Sequence, residues 1–258
     1  MNVVSYGGGT NSTAMLIWMF ESGIRPDLVL FADTGGEKPG TYDHIETVNG
    51  WCSLVGFPDI VRVKKKGRVY IGETLEANCL RKSMLPSIAY GYKSCSAKYK
   101  IQPQDFFCNN YQPCVDVWAS GAKVTKFIGY DADEERRAKI KADDKYEYTY
   151  PLITAGWGRD ECVEAIGRAG LPQPGKSACF FCPSSKKSEI LDLRLRHPDL
   201  YQRALDMESN AVLTSVKGLG RSFAWAEFVQ KHDDDMPVPS WMSDAGKEID
   251  CGCYDGDD

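Results

Sequence analysis

The sequence predicts an α/β fold: a Rossmann-like parallel sheet with flanking helices, followed by a helical C-terminal extension and a tail. Three observations predict it. The first 33 residues read as strand, glycine loop, helix and strand, which is a βαβ unit and implies parallel strands. The second strand is a continuous apolar run, Leu28-Val29-Leu30-Phe31-Ala32, as strands buried on both faces are. The chain is also long enough, at 258 residues with 43% hydrophobic and 26% charged, to bury a substantial core.

The elements follow in order. Val3 and Val4 open a strand that Gly7, Gly8 and Gly9 break. Residues 14–20 are a dense apolar stretch of helix formers ending before Gly23. Pro26 and Asp27 lead into the second strand. Residues 41–56 predict a helix bounded by Gly56 and Pro58, and residues 60–63 a short strand. Residues 123–130 predict another strand, 150–153 a short apolar segment, and 159–169 a helix ahead of Gly170. From about 186, Ile190, Leu191, Leu193 and Leu195, then Leu200, Tyr201, Ala204 and Leu205, recur at helical spacing. The last 26 residues are polar, carry Pro237 and Pro239, and are expected to form a mobile tail.

Composition excludes several classes. The charge and hydrophobic content are those of an ordinary globule, not of a disordered chain, a fibre or a coiled coil. No run of about 18 apolar residues occurs, so no membrane span is expected. The opening MNVVSYGGG has neither a basic leader nor a long apolar stretch, so no secretion signal is expected. Ten cysteines without such a signal point to a reducing, cytoplasmic setting, where clustered thiols mean metal or thiol chemistry more often than disulfides. A net charge of −5 argues against wholesale nucleic-acid binding but leaves room for a local basic site.

Ser5-Tyr6-Gly7-Gly8-Gly9-Thr10-Asn11-Ser12-Thr13 lies between a strand and a helix. Such a loop offers unpaired N–H groups and the positive end of the helix dipole, and glycines let the backbone approach a phosphate. Asn11, Ser12 and Thr13 add side-chain donors. The pattern is neither Gly-Lys-Ser/Thr nor GxGxxG. A tight, capped strand-to-helix turn is the structural alternative.

The segment resembles the PP-loop of the adenine-nucleotide α-hydrolase-like superfamily, usually written S-x-S-G-G-x-D-S. Four later segments are similar to one branch, the PAPS reductase (sulfonucleotide reductase) family. They are Ala32-Asp33-Thr34-Gly35 with Glu37, Pro39, Thr41, Tyr42 and His44; Ile128-Gly129-Tyr130-Asp131 running to Arg136-Arg137; Tyr150-Pro151-Leu152-Ile153 with Trp157 and Asp160; and the cysteine segments described below. The resemblance runs from about residue 3 to 210. It departs from the family at Gly7 (usually serine), Asn11 (usually aspartate) and Tyr130 (commonly arginine). It implies a nucleotide-binding domain over 1–210 with a C-terminal extension and tail over 211–258. It also implies an adenine nucleotide (PAPS, APS or ATP) held by Ser5, Gly7, Gly8, Gly9, Asn11, Ser12, Thr13, Asp33 and Gly129, with Arg136 and Arg137 on the anion. A magnesium ion is compatible with such a loop.

Cys179-Phe180-Phe181-Cys182-Pro183 is a CxxC, which can chelate a metal or act as a redox pair. The Gly175-Lys176 approach and Pro183 give it the look of a knuckle. Cluster-bearing APS reductases carry a Cys-Cys pair about as far upstream as Cys95, with basic residues and a proline after it. Here Ser96 takes the second place, leaving Cys95, Cys179 and Cys182 as the expected metal ligands. Three thiolates suit a [4Fe–4S] cluster with one open iron; Cys79, Cys162 or the tail could supply a fourth ligand to a cluster or to structural zinc. No metal is the remaining alternative. Cys52, Cys108 and Cys114 carry no pattern and read as buried apolar cysteines. In the tail, Asp250-Cys251-Gly252 is similar to the Glu-Cys-Gly of PAPS reductases, whose cysteine attacks the sulfonyl sulfur. The alternative is an incidental Cys-x-Cys.

Arg62, Lys64, Lys65, Lys66 and Arg68 form a basic run that reads as a solvated face or as a binder of phosphate, sulfate or nucleic acid. Asp33 ends a strand where open α/β sheets bind ligands, or caps a turn. His44 reads as a helix-surface histidine and His197 as a helix end before Pro198. The expected function is a PAPS reductase-like enzyme: Cys251 attacks an adenylyl sulfate, and a thioredoxin-type donor releases sulfite. The alternatives are an ATP pyrophosphatase-type enzyme that adenylates a substrate, perhaps nucleic acid, for thiolation or amidation, and a non-catalytic nucleotide-binding module.

Overall fold

In the computed structural model the described residues are 1–66 and 73–233. Five parallel strands form one sheet: β1 (Asn2–Tyr6), β2 (Leu28–Asp33), β3 (Ile60–Lys64), β4 (Val124–Ile128) and β5 (Tyr146–Thr149). Their order is β3-β2-β1-β4-β5. β1 is central, with Val3 beside Leu28 on one flank and beside Lys126 on the other. The chain steps outward from β1 to β3, then crosses to the other side for β4 and β5. The order therefore reverses between β1 and β4, and the crevice at the carboxyl ends of those strands is where open α/β sheets bind ligands.

The α/β class expected from the sequence is the class observed, and the strand composition explains why. Val4, Tyr6, Val29, Phe31 and Phe127 enter a core with α1 (Thr10–Glu21), α2 (Pro39–Leu54) and α8 (Arg159–Arg168). Val3, Leu28, Leu30, Ala32 and Val124 point the other way, into a core with Cys108 and Cys114 of α5 (Gln102–Asn109) and α6 (Gln112–Ala119). Successive side chains alternate faces, so a strand covered on both faces must be apolar throughout. Cys52, Cys108 and Cys114 are fully buried, as the absence of any pattern around them suggested. β5, Tyr-Glu-Tyr-Thr, lies at the edge with only Tyr146 buried. The apolar segment after it is the short helix α7 (Pro151–Thr154).

The described chain divides into two compact units by contact rather than by chain order. The first comprises residues 1–33, 39–64 and 101–177 and contains the whole sheet. The second comprises residues 34–38, 65–100 and the chain after 177. The segment expected to form one domain, 1–210, is thus spread over both. The reason lies in the second unit's own core. Leu75 and Cys79 of α3 (Leu75–Arg81), Tyr99, Phe181, Leu193 of α9 (Lys187–Arg196), Met207 of α10 (Pro198–Asn210) and Trp225 of α11 (Trp225–Asp233) pack together. Cys95 lies in the short α4 (Ser94–Ser96) of the same unit. No described helix is long and apolar enough to cross a membrane. The expected tail, including Cys251, lies outside the described residues.

Candidate functional site

β1 ends at Tyr6 and α1 starts at Thr10, so the three glycines form the whole connection. Gly8 has φ +76°, and a Cβ there would also stand 3.1 Å from the Thr41 methyl. The positive φ favours glycine there, and the contact would force the Thr41 methyl to give way. Gly9 precedes the helix in an extended conformation. Its N–H donates to Ser12 Oγ at 3.3 Å, and the Ser12 hydroxyl donates back to the Gly9 carbonyl at 3.0 Å. Gly129, just beyond β4, meets this turn closely: a Cβ on it would lie 2.9 Å from Ser12 Cα and 3.0 Å from the Asn11 carbonyl oxygen. The end of β4 therefore touches the backbone of the glycine turn, and only a residue without a side chain fits.

Thr13 supports the turn from below. Its hydroxyl lies 3.1 Å from Tyr6 Oη and 3.0 Å from His44 Nε2, all three buried. Burial pushes His44 below the usual imidazole range, which keeps it neutral near pH 7, and pushes the Tyr6 phenol up. His44 is thus not the surface histidine that the sequence suggested. The signal was there: Thr41, His44, Ile45, Val48, Trp51 and Cys52 form one buried stripe of α2 at helical spacing.

The contacts of Asn11 account for an amide at this position, where the PP-loop pattern that the segment resembles has aspartate. Its Nδ2 donates to Asp131 Oδ2 at 2.8 Å and to Glu134 Oε2 at 3.0 Å, and its Oδ1 accepts from Arg159 at 3.5 Å. An aspartate there would set three carboxylates against one another and remove both donors. Asp131 is buried, and its other oxygen caps the 3₁₀ turn 132–137 by accepting from Glu134 N at 3.1 Å. Arg137 pairs with Glu134 and lies 4.0 Å over the Tyr130 ring, which in turn stacks on Tyr150 at 5.6 Å. Arg136 is exposed. Of the two expected anion ligands, Arg137 is thus held within a network that reaches the loop.

Ser5 Oγ donates to Gln104 Oε1 at 2.8 Å, which ties the residue before the loop to α5. Asp33 is buried, with Oδ1 accepting from Tyr42 Oη at 2.8 Å and Oδ2 facing Lys64 Nζ at 3.2 Å. Both oxygens are engaged by protein groups. Two loop contacts were missed from the sequence, Arg159 on Asn11 and Ser177, whose Oγ donates to the Gly7 carbonyl. Each is separated from the loop by about 150 residues or more of chain, and no local pattern announces such a pairing. In the basic run Arg62 pairs with Glu46, Lys64 with Asp33, and Lys65 lies 4.3 Å over the Tyr99 ring, while Arg68 lies outside the described residues.

The three expected metal ligands all belong to the second unit. Cys182 N donates to the Cys179 carbonyl at 3.0 Å, closing the CxxC turn. Cys179 Sγ lies 3.2 Å from Thr34 Oγ1, and burial, reinforced by the Glu37 carboxylate, pushes its thiol up to about 12. Cys95 N donates to Ser87 Oγ at 2.9 Å. Burial, with Cys95 beside it, pushes the Cys79 thiol up to about 12 as well. Among the described residues, no three His, Cys, Asp or Glu side chains converge so as to hold a metal ion.

A scan against models of known protein families gives no match, and no curated protein matches the chain.

Proposed function

We propose that the chain is a PAPS reductase-like enzyme that binds an adenine nucleotide at the glycine loop. One observation carries the reading: the loop opens α1 at the carboxyl end of β1, against Gly129 of β4, where the strand order reverses. Loop N–H groups and the α1 dipole suit a phosphate there. The chemistry would be thiol attack by Cys251 on the sulfur of an adenylyl sulfate. The sulfur–oxygen bond to the nucleotide phosphate breaks, the phosphate leaves, and the sulfonate is carried on the cysteine. A thioredoxin-type dithiol then attacks that cysteine's sulfur bond, is oxidised to a disulfide, and releases sulfite. Such chemistry belongs in a reducing compartment, and we place it in the cytoplasm.

The expected result is sulfite release from PAPS or APS with reduced thioredoxin, abolished in Cys251→Ser. No sulfite from either sulfonucleotide would end the reductase reading. A second reading, ATP-dependent adenylation of an acceptor, is favoured by Asp131 and Glu134, whose negative charge beside Asn11 suits a nucleotide carried with magnesium. Pyrophosphate release from ATP that depends on an added acceptor would select it.

A further inference from the structure

Cys108 lies in the last turn of α5 and Cys114 in the first turn of α6. The corner between them is tightly wound. Tyr111 N donates to the Cys108 carbonyl at 3.2 Å, and Cys114 N donates to the Tyr111 carbonyl at 3.0 Å. The Phe107 and Tyr111 rings stack across it at 5.5 Å. Two successive turns bring the thiols together, and they hydrogen-bond one another. Both cysteines are fully buried in one core with Val3 of β1 and Val124 of β4. Cys114 Sγ also lies 3.7 Å from Met1 Sδ.

The surroundings make the two thiols unlike. Lys126 of β4 is buried in this region, with Nζ 2.5 Å from Asp105 Oδ1 of α5 and 3.9 Å over the Tyr146 ring of β5. The hydrogen bond from Cys114 holds Cys108 below the usual thiol range against the push of burial, and the Lys126 ammonium adds to the effect. The same bond, with burial, pushes Cys114 up. Burial pushes Cys52, Cys79, Cys162 and Cys179 up to about 12. The thiolate is the reactive form of cysteine, and of these thiols Cys108 is the one poised to be a thiolate. The pair lies just beneath the surface, because Asn109, Asn110, Gln112 and Pro113 around it are exposed.

We propose that Cys108 and Cys114 are a redox pair that a hydroperoxide oxidises to an intramolecular disulfide across the corner of α5 and α6. The Cys108 thiolate attacks the peroxide oxygen, the O–O bond breaks, and the departing hydroxide takes a proton to become water. Cys108 is then a sulfenic acid. The Cys114 sulfur attacks it, the S–O bond breaks, and the Cys114 proton leaves with the hydroxyl as a second water. Two thiols and one peroxide thus give one disulfide and two waters. The sulfurs close from hydrogen-bond contact to about 2 Å. A dithiol reverses the step by exchange. The helix so pinned also carries Gln104, which holds Ser5 before the glycine loop. The pair stands whether or not the loop binds a nucleotide.

The test is exposure of the reduced full chain to hydrogen peroxide, followed by denaturation, alkylation, tryptic digestion and mass spectrometry. The tryptic peptide 101–123 carries Cys108, Cys114 and no other cysteine. It is expected to weigh two hydrogens less and to take no alkyl label, to reach that state at least tenfold faster than the peptides of Cys52, Cys79 or Cys162 lose label, and to recover both labels after dithiothreitol. Cys114→Ser is expected to stop at a sulfenic acid on Cys108 that dimedone captures, and Cys108→Ser to leave Cys114 open to alkylation. A wild-type peptide 101–123 that keeps both labels while the other cysteines oxidise would overturn the proposal, as would bridging of either cysteine to a third. Because the first measurement is made on the wild type, a variant that fails to fold does not decide the matter.

Discussion

Gly129→Ala will disable the glycine loop. The added methyl carbon would sit 2.9 Å from Ser12 Cα and 3.0 Å from the Asn11 carbonyl oxygen, both backbone atoms in the first turn of α1. No side-chain rotation relieves that overlap, so either β4 or the turn must move. Overpacking of this kind costs roughly 1–3 kcal/mol, and backbone against backbone belongs at the upper end. For a chain of this size that corresponds to a fall in Tm of about 5–10 °C. Displacing the turn also moves Asn11 from Asp131 and Glu134, so nucleotide affinity is expected to fall with stability. Thermal melting and ATP titration of the variant check both effects. A stable variant with unchanged ATP affinity would mean that the contact between β4 and the loop is not a constraint.

Glu208→Ala should produce the largest loss of stability in the second unit. The Glu208 carboxylate is buried, and it accepts from Leu219 N at 2.6 Å, Trp225 N at 3.0 Å and Ala226 N at 3.2 Å. The last two are orphan donors at the start of α11, so a side chain from α10 does the work of an N-terminal cap. Leu219 and Trp225 are fully buried, and water cannot replace the lost acceptor without opening the core. Each stranded buried donor costs about 1–3 kcal/mol, which puts the total near 3–5 kcal/mol. Glu208→Gln retains one oxygen acceptor and should lose roughly half as much. Denaturant midpoints of the two variants, read by far-ultraviolet circular dichroism, check the order. An alanine variant as stable as the wild type would contradict the assignment.

The sheet was legible because Leu28 to Ala32 of β2 is an unbroken apolar run and β1, β3 and β4 each carry an apolar pair, and the loop because three glycines separate a strand from a helix. β5 was missed for the opposite reason: Tyr146-Glu147-Tyr148-Thr149 lies at an edge and keeps its polar residues. His44 was misplaced because Asp43 and Glu46 beside it are exposed, while its own face joins Ile45 and Val48. The division into units was not legible at all. Residues 34–38 follow β2 directly, yet Phe180 N bonds the Gly36 carbonyl at 2.8 Å and Glu37 bridges to Cys179, contacts made across more than 140 positions of chain. Periodicity reports one element at a time and carries nothing about such pairings. Asn11 belongs with them. From sequence it was a departure from a motif, whereas its partners Asp131, Glu134 and Arg159 show what the amide is for.

Hydrogen exchange of the full chain, with and without saturating ATP, tests the central claim most directly. A nucleotide held at the reversal of strand order should slow exchange in residues 7–13 and 129–137. Absence of protection in both of the first two segments, or protection confined to residues 178–233, would contradict the placement of the site.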